Sequence, residues 1–400
     1  MKYLENNKVN TGRQPEIDLL KALCVIGMIF THVMLDLRND VLPGEFDAYV
    51  THFFGANTFM ICMGIGMCYT RDQSPRGYFI RGFALLTIGQ FLNIVRNAIP
   101  NLIAYWLVGG QFFIANSFLV LQSDILSFAG LAFFLMGLLK KLKLKAGHIL
   151  TIGVLLNLIA LILWHGMESP DNYFVSQLLA YFVITDAEAY FPLLCYFIFP
   201  ALGYFIGSYY PHIKDKDGLA NRVMLICFPL TVVYYFFRFT REWSYLPEVG
   251  GDLQYNMQPT PDAIFISIFT LGFIALLYKI VKAAGGRLPK VIMHFSANIN
   301  SYYCIHYMFV LPLQTILIAA TGELMDGILV PFLYGCLVTF LCYWIITLND
   351  KYWHIHFTTL KGTGRIVFVA AVWIATIAIA AYAYPRIDEF ANIWNEYLIP

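Results

Sequence analysis

The chain has 400 residues, 59% of them hydrophobic and only 13% charged, with a net charge of +1. A soluble domain carries about 25% charged and about 45–50% apolar residues, so a soluble fold is excluded. Several windows approach the roughly 20 apolar residues that span a bilayer, and the near-neutral total gives no sign of a nucleic-acid partner.

In chain order, the first 16 residues are polar, and the apolar run that follows carries Lys21 and His32. It reads as a retained anchor and not as a cleaved signal peptide. Apolar runs bounded by charge predict eleven spans, at about 17–37, 50–70, 77–96, 117–139, 147–165, 189–210, 221–240, 262–282, 297–319, 327–348 and 365–384. Two shorter apolar stretches, near 100–113 and 173–185, are expected to be re-entrant or interfacial helices. No internal repeat or linker divides the chain, so residues 1–400 are taken as one all-α polytopic membrane bundle.

The charges sort along this map. With a cytoplasmic N-terminus, most of the 26 basic residues fall on the inside, in clusters such as Arg71, Arg76 and Arg81, or Lys140 to Lys145. Alternation over every loop is what the positive-inside rule predicts, and an even number of spans would break it. The expected topology is N-in, C-out. The outer loops collect most of the acids, among them Asp36, Asp40, Glu45 and Asp47. The loop 241–261 mixes Trp243, Tyr245, Gln254, Tyr255, Asn256, Met257 and Gln258, a composition suited to stacking on and hydrogen-bonding a sugar.

Ionisable groups at membrane depth cost roughly 2.5–3.5 kcal/mol on insertion scales and are functional candidates for that reason. The spans hold Lys21, His32, Asn57, Gln90, Asn93, Gln122, Asp124, Asn157, His306 and Gln314, with His52 at the outer lip of the second. At about 1.5 Å per residue, His32 and Asp124 each lie roughly 24–25 Å from the cytoplasmic end of their helices. A histidine paired with a buried carboxylate is an arrangement for general-base catalysis; the alternative is that neighbouring side chains satisfy the two groups separately. His306 is a third candidate in Asn298-Ile-Asn-Ser-Tyr-Tyr-Cys-Ile-His306. The amides serve elsewhere as hydrogen bonds between helices. All eight cysteines sit in apolar runs without ligand spacing, so neither a disulfide framework nor a metal is expected.

The opening segment Arg13-x-x-x-Ile17-Asp18-x-Leu20-Lys21-Ala22-Leu23, with its apolar run ending at His32, resembles the first helix of membrane acyltransferases. These are the acyltransferase-3 family and its relative, the catalytic domain of heparan-α-glucosaminide N-acetyltransferase. The first family typically has Arg, ten residues, then His; here Lys21 takes the place of the Arg. Phe54-Gly-Ala-Asn-Thr-Phe59 with Met63-Gly-Ile-Gly66, the basic pair Arg76 and Arg81, Leu121-Gln-Ser-Asp-Ile-Leu126 and Asn300-Ser-Tyr-Tyr-Cys-Ile-His306 resemble later segments of these domains.

The resemblance implies acyl transfer, usually of acetyl, from cytoplasmic acetyl-CoA to a glycan hydroxyl or amine across the membrane. It makes His32 the base or a transient acyl carrier, with Asp124 and His306 as further catalytic candidates. Arg13, Lys21, Arg76 and Arg81 become candidates for holding the donor, and Asn57, Gln122 and His52 for the acceptor. The expected partners are acetyl-CoA, a carbohydrate or glycolipid acceptor and the lipid of a bacterial cytoplasmic membrane. A proton-coupled transporter or lipid-glycan flippase using His32, Asp124 and His306 as a relay is the alternative.

Overall fold

The structure is a computed structural model that describes residues 3–39, 55–185, 190–240, 259–354 and 362–387. His52 and the loop residues Trp243, Tyr245, Gln254, Tyr255, Asn256, Met257 and Gln258 lie outside the described residues. Sixteen α-helices follow one another with no strand among the described residues. They are α1 (Pro15–Asp36), α2 (Ala56–Tyr69), α3 (Pro75–Asn93), α4 (Ile99–Val108), α5 (Gln111–Phe118), α6 (Ile125–Lys141), α7 (Ala146–Gly166) and α8 (Tyr173–Leu179). After them come α9 (Leu193–Tyr196), α10 (Ile198–Tyr209), α11 (Lys216–Thr240), α12 (Thr260–Ala283), α13 (Lys290–Ala297), α14 (Ile299–Thr321), α15 (Leu329–Leu348) and α16 (Gly362–Ala383).

Among the described residues, nine helical segments are long and apolar enough to cross a bilayer. The protein is an integral, multi-pass membrane protein. The other two expected spans coincide with the 14-residue α2 and the 17-residue α6. α6 starts later than the apolar run does because Asp124 caps it, its carboxylate accepting from the N–H groups of Leu126 and Ser127 at 3.0 and 3.2 Å. A capping aspartate satisfies donors that the first helical turn leaves open.

The third span also departs from expectation. α3 does not end at Arg96: a π-helical turn, Ile94–Ala98, carries it on into α4, and Pro75–Val108 forms one 34-residue helical run. The stretch expected to be re-entrant is therefore partly the end of this helix. Gly109 and Gly110, at φ of 76° and 97°, then turn the chain into α5, a backbone course open to glycine at little cost.

Helix packing in a bilayer rests on close approach more than on hydrophobic drive. α2 and α10 show it: a Cβ added at Gly203 would stand 2.0 Å from the carbonyl oxygen of Ile61, and one at Gly64 would stand 2.2 Å from that of Pro200. Around this pair, α3 lies on α6, α10 on α7 and α11 on α12. α1 is the hub, in contact with α2, α12, α13, α14 and α15. α14 in turn touches α4 and the π-turn, so the helix carrying His306 is wedged between the helix of His32 and the segment of Arg96.

Both ends of α1 are pinned. At its start, Glu16 accepts from Lys216 at 2.9 Å and from the Tyr210 hydroxyl at 2.6 Å, while Asp18 pairs with Arg13 and accepts from Ser296 Oγ at 2.6 Å. At its far end, Gln314 Nε2 donates to the Asp36 carbonyl at 2.7 Å and the Met325 N–H donates to that of Leu37 at 2.9 Å. α1 and α14 run side by side in the same direction, which brings residues 32 and 306 to one level.

Candidate active site

Nδ1 of His32 lies 2.8 Å from Nε2 of His306, and the two rings are nearly parallel, with centroids 5.0 Å apart. The proton positions follow from the next contact. Nδ1 of His306 faces the Tyr302 carbonyl at 2.9 Å, and a carbonyl only accepts, so this nitrogen carries the hydrogen. A neutral His306 then has a bare Nε2 that accepts from the Nδ1–H of His32. That leaves Nε2 of His32 with a free lone pair and no hydrogen-bond partner among the described residues. His306 is completely buried, whereas His32 is partly exposed.

Tyr302, the residue that orients His306, is itself held. Its hydroxyl meets Nδ1 of His294 at 2.9 Å, and Nε2 of His294 faces Asp350 at 4.0 Å. Burial keeps the His294 imidazole below its usual range, with Asp350 acting in the opposite sense.

Asp124 reaches this cluster by a different route from the one expected. Its Oδ2 takes a 2.8 Å ion pair from Arg96 Nη2 and a 3.0 Å hydrogen bond from the Tyr303 hydroxyl. Its other oxygen caps α6. The expected His32–Asp124 pair is replaced by two pairs, His32–His306 and Arg96–Asp124. Among the described residues, no direct hydrogen bond joins the His32–His306 pair to the Arg96–Asp124 pair.

Arg96 is the principal residue that sequence reasoning missed. Its side chain is 3% exposed, donates to Asn93 Oδ1 at 2.8 Å and leaves Nε buried without a partner among the described residues. Asn93 in turn donates to the backbone carbonyls of Gln122 and Val120 at 2.9 and 3.3 Å. Tyr307 joins the two pairs. The Arg96 guanidinium lies 4.4 Å from its ring centroid, the His32 ring stacks at 4.4 Å, and the His306 ring lies at 4.3 Å. The π-turn places Asn93 and Arg96 on this face, and such turns recur at functional sites.

The remaining candidates separate from this centre. Lys21 is half-buried and has no partner among the described residues. It stands eleven residues before His32, three turns and roughly 16 Å along the same face of α1. Arg13 is occupied by Asp18 at the start of that helix. Arg76 is exposed and Arg81 half-buried near the start of α3, a helix that is not one of the close neighbours of α1. Asn57 is buried in α2 and Gln122 offers its backbone carbonyl to Asn93, so neither side chain is brought onto the histidine pair by a hydrogen bond. Among the described residues, no group of three or more His, Cys, Asp or Glu side chains is arranged to hold a metal.

A family model described as an acyltransferase domain, that of the acyltransferase-3 family, matches residues 14–348. No curated protein and no solved structure matched the chain. The match covers most of the sequence and all of the residues around His32, and the chain belongs to the acyltransferase-3 family.

Proposed function

We propose that this member of the acyltransferase-3 family moves an acetyl group from acetyl-CoA to a glycan hydroxyl or amine, with Nε2 of His32 as the general base. The observation that carries the reading is the bond order through the histidine pair. The Tyr302 carbonyl fixes His306, His306 fixes His32, and His32, itself partly exposed, keeps the lone pair of Nε2 free of any partner among the described residues. Such a base is held in one tautomer before substrate arrives, the role an aspartate plays in other triads.

The step runs as follows for a hydroxyl acceptor. Nε2 of His32 takes the hydroxyl proton as the oxygen bonds to the thioester carbonyl carbon, giving a tetrahedral oxyanion. The carbon–sulfur bond then breaks, and the CoA sulfur leaves with the proton held by His32. The imidazolium formed in between is stabilised through Nδ1–H by the bare Nε2 of His306. Arg96, with an unpartnered Nε–H and a guanidinium that Asp124 and Asn93 hold still, is the donor we assign to the oxyanion. Preorganised donors of this kind are worth most where water is excluded.

Lys21 is assigned to the donor. An ammonium without a partner among the described residues, three turns from the base on the same helix face, suits the phosphates of a CoA whose arm reaches along α1 to His32. Near the start of α1, Lys216 pairs with Glu16, the Lys214 N–H donates to the Tyr3 carbonyl, and Lys279 and Lys282 pair with Asp217, a concentration of cations that supports a cytoplasmic N-terminus. Arg13, engaged with Asp18, is assigned to anchoring the helix instead of the donor.

Mass spectrometry of envelope glycans from bacterial cells with and without the protein tests the reading. A glycan that gains an acetyl mass only when the protein is present supports it. Glycans that are exported but unmodified would instead support the transporter alternative.

A further inference from the structure

Asp36 closes α1 one turn beyond His32, on the same face of the helix. Among the described residues its buried Oδ2 has no hydrogen-bond partner and the residue forms no ion pair. Arg96, the buried cation of this cluster, is committed to Asp124 at 2.8 Å. The Tyr307 ring touches both His32 and Arg96.

An unsatisfied buried carboxylate oxygen is costly and calls for an explanation. Slack in the chain does not supply one. The Asp36 carbonyl is held by Gln314 at 2.7 Å, and the next residue is tied to Met325 at 2.9 Å, so the side chain is presented by a fixed backbone. Two acceptors without donors among the described residues, Nε2 of His32 and Oδ2 of Asp36, thus occupy one helix face, with Cβ atoms four residues apart standing about 5–6 Å from each other. Two donors on a single small molecule would satisfy both.

We infer that Asp36 binds the acyl acceptor, its carboxylate receiving a hydrogen bond from a second hydroxyl adjacent to the one acylated, so that the site takes vicinal polyols in preference to isolated alcohols. The inference rests on the acyl-transfer reading and narrows its acceptor. In the transfer itself Asp36 neither gains nor loses a bond to carbon and exchanges no proton. The attacking hydroxyl loses its proton to His32, and the neighbouring hydroxyl keeps its own and donates to Asp36.

The test uses the purified full-length protein in detergent with acetyl-CoA, and compares trans-1,2-cyclohexanediol with cyclohexanol as acceptors. CoA thiol release and acetylated product are both measured. The wild type is expected to favour the diol in kcat/KM by about tenfold, the worth of one hydrogen bond to a charged group. Asp36→Asn, which keeps the side-chain shape, and Asp36→Ala should both bring that ratio close to one, chiefly through KM for the diol. A wild type that consumes acetyl-CoA in a His32-dependent manner but shows no preference, or an Asp36→Asn protein that retains the preference, overturns the inference and leaves the transfer reading standing. A wild type that consumes no acetyl-CoA with water, diol or alcohol overturns the transfer reading, and the inference falls with it.

Discussion

His32 and His306 are 274 residues apart in sequence, and their facing ring nitrogens are 2.8 Å apart. Because the Tyr302 carbonyl determines which nitrogen of His306 bears hydrogen, a backbone group sets the basic face of a histidine two residues removed from it in the hydrogen-bond chain.

His306→Ala removes the acceptor for the Nδ1–H of His32 and frees the ring to change tautomer. We expect kcat to fall about 100-fold or more, within the range of general-base contributions, while the protein stays folded. His306→Gln keeps a carbonyl acceptor and should recover part of the loss. Steady-state kinetics beside thermal unfolding of the detergent-solubilised variants measure both; equal kcat for His306→Ala and wild type would remove His306 from the mechanism.

Arg96 and Asp124 form a buried pair with side chains 3% exposed on each partner. Removing one leaves a buried unpaired charge, a loss of about 3–5 kcal/mol in comparable pairs. Arg96→Leu and Asp124→Leu should therefore each lower thermal stability strongly. The double variant should lose less than the two singles added together. Asp124→Leu also loses the cap of α6, so the double variant is not expected to reach wild-type stability.

Lys21→Ala should raise KM for acetyl-CoA by about tenfold, the worth of a charge-assisted hydrogen bond, with a smaller effect on kcat. Lys21→Arg restores the residue usual in the family at this spacing. A planar fork contacts phosphate at two points where an ammonium contacts it at one, so KM should not rise and is expected to fall. Initial rates against acetyl-CoA concentration decide; an unchanged KM in Lys21→Ala takes Lys21 out of the donor site.

Gly203→Ala introduces a Cβ 2.0 Å from the Ile61 carbonyl, which backbone on both helices would have to yield to accommodate. Overpacking of this kind costs about 1–3 kcal/mol or more. Thermal unfolding should show a clear loss, whereas Gly66→Ala, with nothing within 4 Å of the added carbon, should unfold near the wild-type temperature.

The composition and the spacing of charges were enough to read an all-helical membrane bundle, because the bilayer allows few alternatives to apolar helices. Lys21 and His32 were legible for a local reason, since eleven residues bring two polar side chains to one face of one helix. Arg96 was not. In the sequence a charge marks the end of a span, yet Arg96 lies inside one, neutralised by Asp124 at the cap of α6. His32 and Asp124 were matched by depth, and depth says nothing about which helices are neighbours. The packing of α14 between α1 and the π-turn decides that His306 meets His32 and Arg96 meets Asp124. Asp36 reads in the sequence as one more loop acid, and only the structure shows its oxygen buried without a partner among the described residues.

The central claim is that His32 is the base, and CoA thiol release by the purified His32→Ala protein tests it most directly. With acetyl-CoA and the membrane glycan fraction of the expressing cells, the wild type should release CoA and acetylate glycan. The variant, shown to be folded by its unfolding transition, should do neither above background. Wild-type-like turnover in folded His32→Ala would contradict the account.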